Sequence, residues 1–369
     1  MPVNPSSSLS ESREIELDFL RGIGILLVID FHSPRPILSL PIFTFGPRHP
    51  GWIGVDIFFV LSGFLVGGLL IKEWTLRGHP DGPRFLIRRA LKIWPQYYVF
   101  LLYLVLRHHA TLYDLRGNLL HIQNYVGPFT QMWSLAVEEH AYLFLALLFT
   151  VASRIHATAR HLFLSVATLS AIIVALKFVL TAYGFPTFDA THTRIDGIFY
   201  GVLLAILYHS FPDTFHRFQN LRWLWLLVIV AALLFFHNPP QSILAIPAQW
   251  VFADAIGVAL LLLLYHHRRD RRPSLAYRIV ARIGLYSYGI FLWHMSVYVA
   301  IYEIGLRLPA WSIHTWQSVG PYLLGIPLGI LATKCVEFPA LRLREKLFPR
   351  LIDSPVGIPA IIEEEALSL

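Results

Sequence analysis

The sequence predicts an all-α, polytopic integral membrane bundle of about ten transmembrane helices, with both termini in the cytoplasm. Apolar residues make up 56% of the 369 residues and charged residues only 14%, whereas soluble domains have roughly 45–50% and about 25%. The mean hydropathy is +0.57. The apolar segments are also long and continuous rather than alternating, which is typical of membrane helices.

Ten apolar runs follow one another along the chain, each close to the ~20 residues that one bilayer crossing needs. They lie at about 17–36, 52–72, 93–110, 132–153, 161–183, 195–210, 221–238, 243–266, 283–304 and 316–337. Residues 1–16 are polar and serine-rich, without the apolar core of a signal peptide, so we expect a disordered cytoplasmic tail. The membrane domain is therefore expected over 17–348, followed by a second cytoplasmic tail at 349–369.

The orientation follows from the distribution of lysine and arginine. Of these 30 residues, 21 fall on the side that carries both termini and six on the other side. Because basic loops stay in the cytoplasm, both termini are predicted to be cytoplasmic. The same bias accounts for the net charge of +7 without a nucleic-acid partner. The single cysteine, Cys335, excludes an internal disulfide.

Ionisable residues inside the spans are functional candidates, because each costs roughly 2.5–3.5 kcal/mol to insert. Arg21 lies near the cytoplasmic end of the first span, and His32 follows eleven residues, or about 16 Å, later on nearly the same helix face. Polar side chains from several spans are predicted to share a layer in the outer half of the bilayer: His32, Asp56, Glu138, Glu139, Arg194 and Asp196. In the ninth run, Tyr288 precedes His294, which is expected near mid-depth.

A basic cluster precedes the third span. Arg88, Arg89 and Lys92 are predicted to lie on one side of an interfacial helix that ends near Pro95. A pair of guanidinium groups suits a phosphate-bearing ligand. The alternative is that these residues only anchor the span and enforce its orientation.

Structural interpretations also exist for other candidates. His294 taken alone is typical of a hydrogen-bonded core histidine, and Arg194 and Asp196 are equally consistent with a pair across a turn. Gly63 and Gly67 form a small-xxx-small pattern that indicates close helix packing rather than chemistry. No residue set with convincing metal-ligand spacing is present, so no metal is expected.

Seven sequence blocks, in order, resemble the integral-membrane acyltransferase family 3 over about residues 14–348. The first, Arg21-x10-His32, is similar to the Arg-x10-His signature of that family. The others lie at 54–65, 85–97, 133–139, 194–196, 286–294 and 337–339. The chain departs from the family pattern at His140-Ala141, where a Phe-Tyr pair is usual.

The resemblance implies an acyl-CoA-dependent O-acyltransferase of the bacterial inner membrane. Acyl-CoA, acetyl-CoA being expected, would enter from the cytoplasm, and the acceptor would be a hydroxyl of an exported carbohydrate or glycoconjugate. On this basis we expect catalytic roles for His32 (as base or transient acyl carrier), Arg21 and Glu138, the last holding His32 in its tautomer or binding a sugar hydroxyl. CoA phosphates are assigned to Arg88, Arg89 and Lys92. The expected substrate-side residues are Asp56, Glu139, Arg194, Asp196, Tyr288 and His294.

Several alternatives stay open at this point. Direct transfer and an acyl-enzyme relay are both compatible with the residues, as are a monomer and a homodimer. No C-terminal hydrolase-like domain of the kind that some family members carry is expected. A proton-coupled transporter or flippase of a glycoconjugate would also contain intramembrane His, Asp, Glu and Arg, although the inverted duplication common in such carriers is not visible. A binding protein or sensor without catalysis is disfavoured by Arg21, His32 and Glu138.

Overall fold

The structure is a computed structural model that describes residues 15–37, 50–127, 132–266 and 273–349. Within these ranges all regular secondary structure is helical, which confirms the predicted all-α class. The helices are α1 (Ile15–His32), α2 (Ile53–Arg77), α3 (Gly82–Leu106), α4 (Arg116–Leu119), α5 (Trp133–Arg154), α6 (Ala159–Ala182), α7 (Thr191–Arg194), α8 (Asp196–Ser210), α9 (Pro212–Asn220), α10 (Arg222–His237), α11 (Ala245–His266), α12 (Leu275–Leu285), α13 (Ser287–Trp293), α14 (Tyr298–Gly305), α15 (Ala310–Ala332) and α16 (Phe338–Leu347). Nearly all of both predicted tails lies outside the described residues.

Five of the described helical segments are long and apolar enough to cross a membrane, and a sixth is possible if the bent pair α8 and α9 forms one span. The protein is therefore a multi-pass helical membrane protein. Each of the ten predicted runs overlaps a helix. Two long helices fall outside the five because of their charges: α1 contains Asp18, Arg21 and Asp30, and the first half of α3 is basic. The number ten stays a prediction, as does the orientation of the termini.

Helix α2 lies at the centre of the bundle, where it packs against α1, α5, α8 and α11. Its glycines allow the backbone of α8 to approach closely. A Cβ atom at Gly63 would collide with the carbonyl oxygen of Ile198, and one at Gly67 would lie 3.1 Å from the Cα of Val202. The predicted close packing through Gly63 and Gly67 is thus confirmed.

Helix α3 differs from the expectation of an interfacial helix that ends near Pro95. The helix begins after Asp81, whose side chain accepts a hydrogen bond from the backbone N–H of Arg84 at 3.1 Å, and it continues through Pro95 to Leu106. The predicted end was wrong because neighbouring helices satisfy backbone groups that a proline frees inside a membrane bundle. The basic cluster therefore stands on the same continuous helix as the third apolar run.

Two irregular turns interrupt the last apolar runs. The ninth run, expected as one helix, is divided into α12, α13 and α14, with a 3₁₀ turn at His294–Val297 between the last two. The tenth passes from α15 into α16 through a π-helical turn at Thr333–Glu337, which packs beside α3. Such turns inside helices often mark hinges or functional positions.

Candidate active site

A cavity of about 130 Å³ lies between α1, α2, α3, α5 and α13. Its charged lining consists of Arg21, Arg89, Lys92 and Glu138. Hydroxyl groups come from Ser62, Ser134, Tyr142, Ser287 and Tyr288. Three basic side chains around one carboxyl group make this cavity electropositive, and such a cavity favours an anionic ligand.

The sequence prediction placed Arg21 and Glu138 at the reaction centre, and the structure brings both into this cavity. Arg21 also forms an ion pair with Asp18, one turn earlier on α1, at 2.9 Å. The partner that the structure gives Glu138 is Tyr142, whose hydroxyl donates to Glu138 Oε2 at 2.7 Å. The Ser62 hydroxyl lies 2.9 Å from that of Tyr142, so it donates to Tyr142 in turn. This hydroxyl chain links α2 to the carboxyl group on α5.

His32 lies at the end of α1 beside His294, with its Nδ1 3.3 Å from His294 Nε2. Nδ1 of His32 is also 2.9 Å from the carbonyl oxygen of Val28, and Nδ1 of His294 is 2.6 Å from that of Phe291. Because a carbonyl oxygen only accepts, both Nδ1 atoms are assigned the proton. The lone pair of His32 is then on Nε2, the nitrogen that a general base would use.

The histidine pair lies near the cavity without lining it, and Phe291 is the residue that adjoins both. Phe291 lines the cavity, and its ring centroid lies 6.0 Å from that of His294. His32 and His294 are not among the cavity-lining residues, whereas Glu138, the predicted partner of His32, lines the cavity. Phe291 therefore adjoins both the basic cavity and the pair of imidazoles.

Only two of the three residues in the predicted basic cluster line the cavity. Arg89 and Lys92 line the cavity, whereas Arg88 forms an ion pair with Glu345 on α16 at 2.8 Å and donates to the carbonyl oxygen of Phe348. The three side chains fall within about 100° of arc on α3, but Arg88, one turn before Lys92, pairs with Glu345 instead of lining the cavity. The guanidinium of Arg89 also lies 5.8 Å from the ring centroid of Tyr142.

A second group of charges lies outside the cavity and joins four helices. Arg194 pairs with Asp56 at 2.6 Å, and Lys177 pairs with Asp196 at 2.8 Å. All four side chains are at most 2% exposed. The interpretation that Arg194 and Asp196 pair with each other was wrong. The guanidinium of Arg194 also stacks over the ring of Trp250, 4.3 Å from its centroid.

Sequence reasoning missed two members of this group, Lys177 and Asp254. Asp254 on α11 is 2% exposed, and a Cβ at Gly197 would lie 3.2 Å from its carboxyl carbon. Both residues stand deep inside apolar runs, so the insertion cost that identified Arg21 would have identified them too. We name Asp56, Lys177, Arg194, Asp196 and Asp254 the outer charge group.

The remaining two predicted residues, Glu139 and Tyr288, lie on different sides of the cavity wall. Tyr288 lines the cavity, and its hydroxyl donates to the carbonyl oxygen of Ile93 at 2.8 Å. Glu139 does not line it, although it is adjacent to Glu138. Its Oε1 is buried and has no hydrogen-bond partner among the described residues.

The loop after α3 folds back onto that helix. His121 stacks on the rings of Trp94 and Tyr97, with centroid distances of 5.4 and 5.0 Å, and its Nε2 lies 3.1 Å from the hydroxyl of Tyr98. Burial, and secondarily the proximity of His140, lowers the pKa of His121 to about 4. The imidazole is therefore neutral when the loop is docked at neutral pH.

Comparison with known proteins agrees with the resemblance noted in the sequence. A family model described as "Acyltransferase domain" matches residues 14–336. The peptidoglycan O-acetyltransferase OatA of Listeria monocytogenes is 26% identical over 358 residues, which cover 88% of this chain and 55% of that protein. A "Putative O-acetyltransferase" of Staphylococcus aureus is 25% identical over 397 residues, which cover 94% of this chain and 61% of that protein.

The chain thus spans between about half and three fifths of the length of these relatives. No solved structure matches it. The family model, however, extends over most of the chain, including all five elements that surround the cavity. The protein therefore belongs to the integral-membrane acyltransferase family 3.

Proposed function

We propose that the protein moves an acyl group, acetyl in the first instance, from acyl-CoA to a hydroxyl of a carbohydrate or glycoconjugate at the extracytoplasmic side of a bacterial inner membrane. The proposal includes ten spans with both termini in the cytoplasm, so that a cytoplasmic donor meets an outer acceptor inside the bundle. Peptidoglycan is the first acceptor to test, because a relative from Listeria monocytogenes is named for it.

The observation that carries the proposal is the cavity that gathers Arg21, Arg89 and Lys92 inside the helix bundle. Desolvated cations are costly unless an anion joins them. Guanidinium and ammonium groups form strong, charge-assisted hydrogen bonds with phosphate oxygens. A CoA ester supplies these phosphates, together with a long arm that extends its thioester away from them.

The base in this proposal is His32. Its Nε2 accepts the proton of the acceptor hydroxyl while the oxygen bonds to the acyl carbon and the carbon–sulfur bond breaks. The same proton then passes to the leaving thiolate, so the products are an ester and the free thiol of CoA. Because the Phe291 ring adjoins both the cavity and His294, the thioester in this proposal reaches His32 by rotation of this ring.

The outer charge group has a structural role in this proposal. Asp56, Arg194 and Asp196 were expected to bind the acceptor, but each is buried in an ion pair between helices. Breaking such pairs to bind a neutral sugar would leave uncompensated charges. We therefore assign them to holding the outer parts of the helices in place.

The test is transfer of radiolabel from acetyl-CoA to soluble peptidoglycan fragments by the purified protein in lipid nanodiscs. We expect transfer by the wild type and by His314→Ala, since residue 314 is an exposed histidine on α15. His32→Ala should remain folded and still bind acetyl-CoA, but lose transfer by a factor on the order of 10²–10⁴. Normal transfer by His32→Ala would exclude His32 as the base.

One observation favours a second function, a proton-coupled carrier of a glycoconjugate. The outer charge group contains three carboxyl groups and two cations, and one oxygen each of Asp56, Asp196 and Asp254 is buried without a hydrogen-bond partner among the described residues. Buried carboxyl groups of this kind can carry protons in transporters. Proton-driven solute uptake into vesicles without any acyl transfer would favour the carrier over the enzyme.

A further inference from the structure

The π-helical turn at Thr333–Glu337 places an additional carboxyl group next to the cavity. Glu337 is only 6% exposed, and its Oε2 has no hydrogen-bond partner among the described residues. The function proposed above does not use it. A buried carboxyl group of this kind needs a compensating charge nearby.

The register between α3 and the segment from α15 to α16 identifies that charge. Gln96 and Thr333 meet at Gly289, because a Cβ there would contact both side chains. Further along, Arg88 pairs with Glu345 at 2.8 Å. Residue numbers fall along α3 as they rise along the other segment, so the two run antiparallel.

Lys92 and Glu337 lie between these two fixed contacts. Lys92 is one turn from Gln96, and Glu337 is one turn from Thr333, in the same direction along the bundle. The antiparallel register therefore sets Glu337 opposite Lys92. The electrostatic interactions of Glu337 agree with this register, because its strongest attraction is to Lys92, followed by those to Arg21 and Arg344.

We propose that Glu337 is the counter-charge of the cavity cations and competes with an anionic ligand for Lys92 and Arg21. This inference deepens the proposed function and rests on its donor site. In the empty cavity Glu337 offsets part of the positive charge. When phosphate groups enter, they take over Lys92 and Arg21, and the repulsion between the ligand and Glu337 limits affinity and aids release of the product.

A counter-charge and a merely structural residue predict opposite changes in ligand affinity when Glu337 is replaced. Removing the charge of Glu337 should strengthen anion binding, because the cations lose their internal competitor, whereas loss of packing or of fold would weaken it. Glu337→Gln keeps the size and polarity of the side chain. Glu73→Gln is the matched control, since Glu73 pairs with Arg77 at the end of α2, away from the cavity, and the net charge changes equally.

The first measurement is binding of inorganic pyrophosphate to the full-length protein in nanodiscs by calorimetry. We expect Glu337→Gln to bind it about tenfold more tightly than the wild type, Glu73→Gln to match the wild type, and Lys92→Gln to bind about tenfold more weakly. Equal or weaker binding by a Glu337→Gln protein with unchanged thermal stability would overturn the inference. So would absence of pyrophosphate binding to every variant.

The second measurement separates this inference from the proposed donor. In acyl transfer from acetyl-CoA, Glu337→Gln should lower the KM for the donor and also lower kcat, since the free CoA leaves more slowly. If pyrophosphate behaves as expected but acetyl-CoA neither binds nor donates, the counter-charge stands and the proposed donor is wrong. A raised KM in Glu337→Gln would contradict the counter-charge.

Discussion

At the scale of single residues, the cavity distinguishes two arginines that are neighbours in the sequence. Arg89 lines the cavity, and Arg88 is held by Glu345 on α16. Arg89→Gln should therefore raise the KM for acetyl-CoA by about 10–100-fold, the cost of one lost charge-assisted contact. Arg88→Gln is the matched variant, and its KM should stay within about twofold. Initial rates at varied acetyl-CoA check this, and equal effects would contradict the division of roles.

His294 is a positioning residue for His32 in this mechanism. Its Nε2 accepts from Nδ1–H of His32 and so keeps the lone pair of His32 on Nε2. His294→Phe should lower kcat on the order of tenfold or more while leaving the KM for acetyl-CoA nearly unchanged. The control is His314→Phe. If the pH profile of kcat in His294→Phe matched that of the wild type, the tautomer argument would fail.

Sequence reasoning at this scale detected residues that are costly by themselves and missed contacts that depend on a partner. Arg21 and Glu138 are conspicuous because each is charged within an apolar run, and both line the cavity. The contact between His32 and His294 was not predictable, because it depends on the 3₁₀ turn that divides the ninth run. Lys177 and Asp254 were detectable by the same insertion cost but were not singled out.

At the scale of helices, the outer charge group connects elements that are distant in the sequence. Lys177 on α6 and Asp196 on α8 are both fully buried. Lys177→Met should lower stability by roughly 3–5 kcal/mol, since Asp196 loses its charge partner. The double variant Lys177→Met, Asp196→Asn should recover most of that loss. Thermal unfolding in nanodiscs measures both, and a double variant no more stable than the single one would contradict the expectation.

The loop that docks on α3 should respond to pH. The pKa of His121 is lowered to about 4 in the folded protein by burial, against ~6.5 when exposed. The neutral imidazole therefore stabilises the docked loop above about pH 6.5, and this stabilisation is lost as pH falls toward 4. The hydrogen-exchange protection factors over 116–127, which are corrected for the intrinsic pH dependence of amide exchange, should decrease when the pH is lowered from 7.5 to 5.

A substitution isolates the contribution of this imidazole. His121→Gln removes the titrating group while keeping a hydrogen-bonding partner for the Tyr98 hydroxyl. The protection factors over 116–127 in this variant should change much less between the two pH values. An equal decrease of the protection factors in both proteins would assign the effect to another group.

At some helix boundaries, packing in the bundle outweighs the local preferences of the sequence. Pro95 predicts a helix end, but α3 continues because packing in the bundle satisfies the groups that proline frees. The π-helical turn at Thr333–Glu337 has no marker that periodicity could detect. Gly63 and Gly67 were interpreted correctly, since a small-xxx-small pattern has one dominant meaning in a membrane helix.

At the scale of the whole molecule, composition determined the class, and the ordered blocks determined the family. The number of spans is harder to predict, because α1 and α3 combine span length with charges that serve the cavity. In these helices, the charged residues that serve the cavity lower the apolar content by which a membrane span is recognised. A count based on apolarity alone therefore gives fewer spans than a count based on helices.

Topology can be measured with single cysteines in a Cys335→Ser background. His156, in the loop between α5 and α6, should be labelled by an impermeant maleimide only from the cytoplasmic side when changed to cysteine. Tyr183, 78% exposed after α6, should be labelled only from outside. Labelling of both positions from the same side would exclude α6 as a span and with it the orientation proposed here.

The distance between two residues of α1 also restricts which acyl donors the protein can use. Arg21 and His32 are eleven residues, or about 16 Å, apart on one rigid rod. A compact activated acetyl compound, such as acetyl phosphate, can sit at either end of that rod but cannot connect the two. The length of the donor molecule would then determine which acyl compounds the protein can use. A CoA analogue with a shortened arm should occupy the cavity, hold its acetyl group short of the imidazole, and behave as an inhibitor.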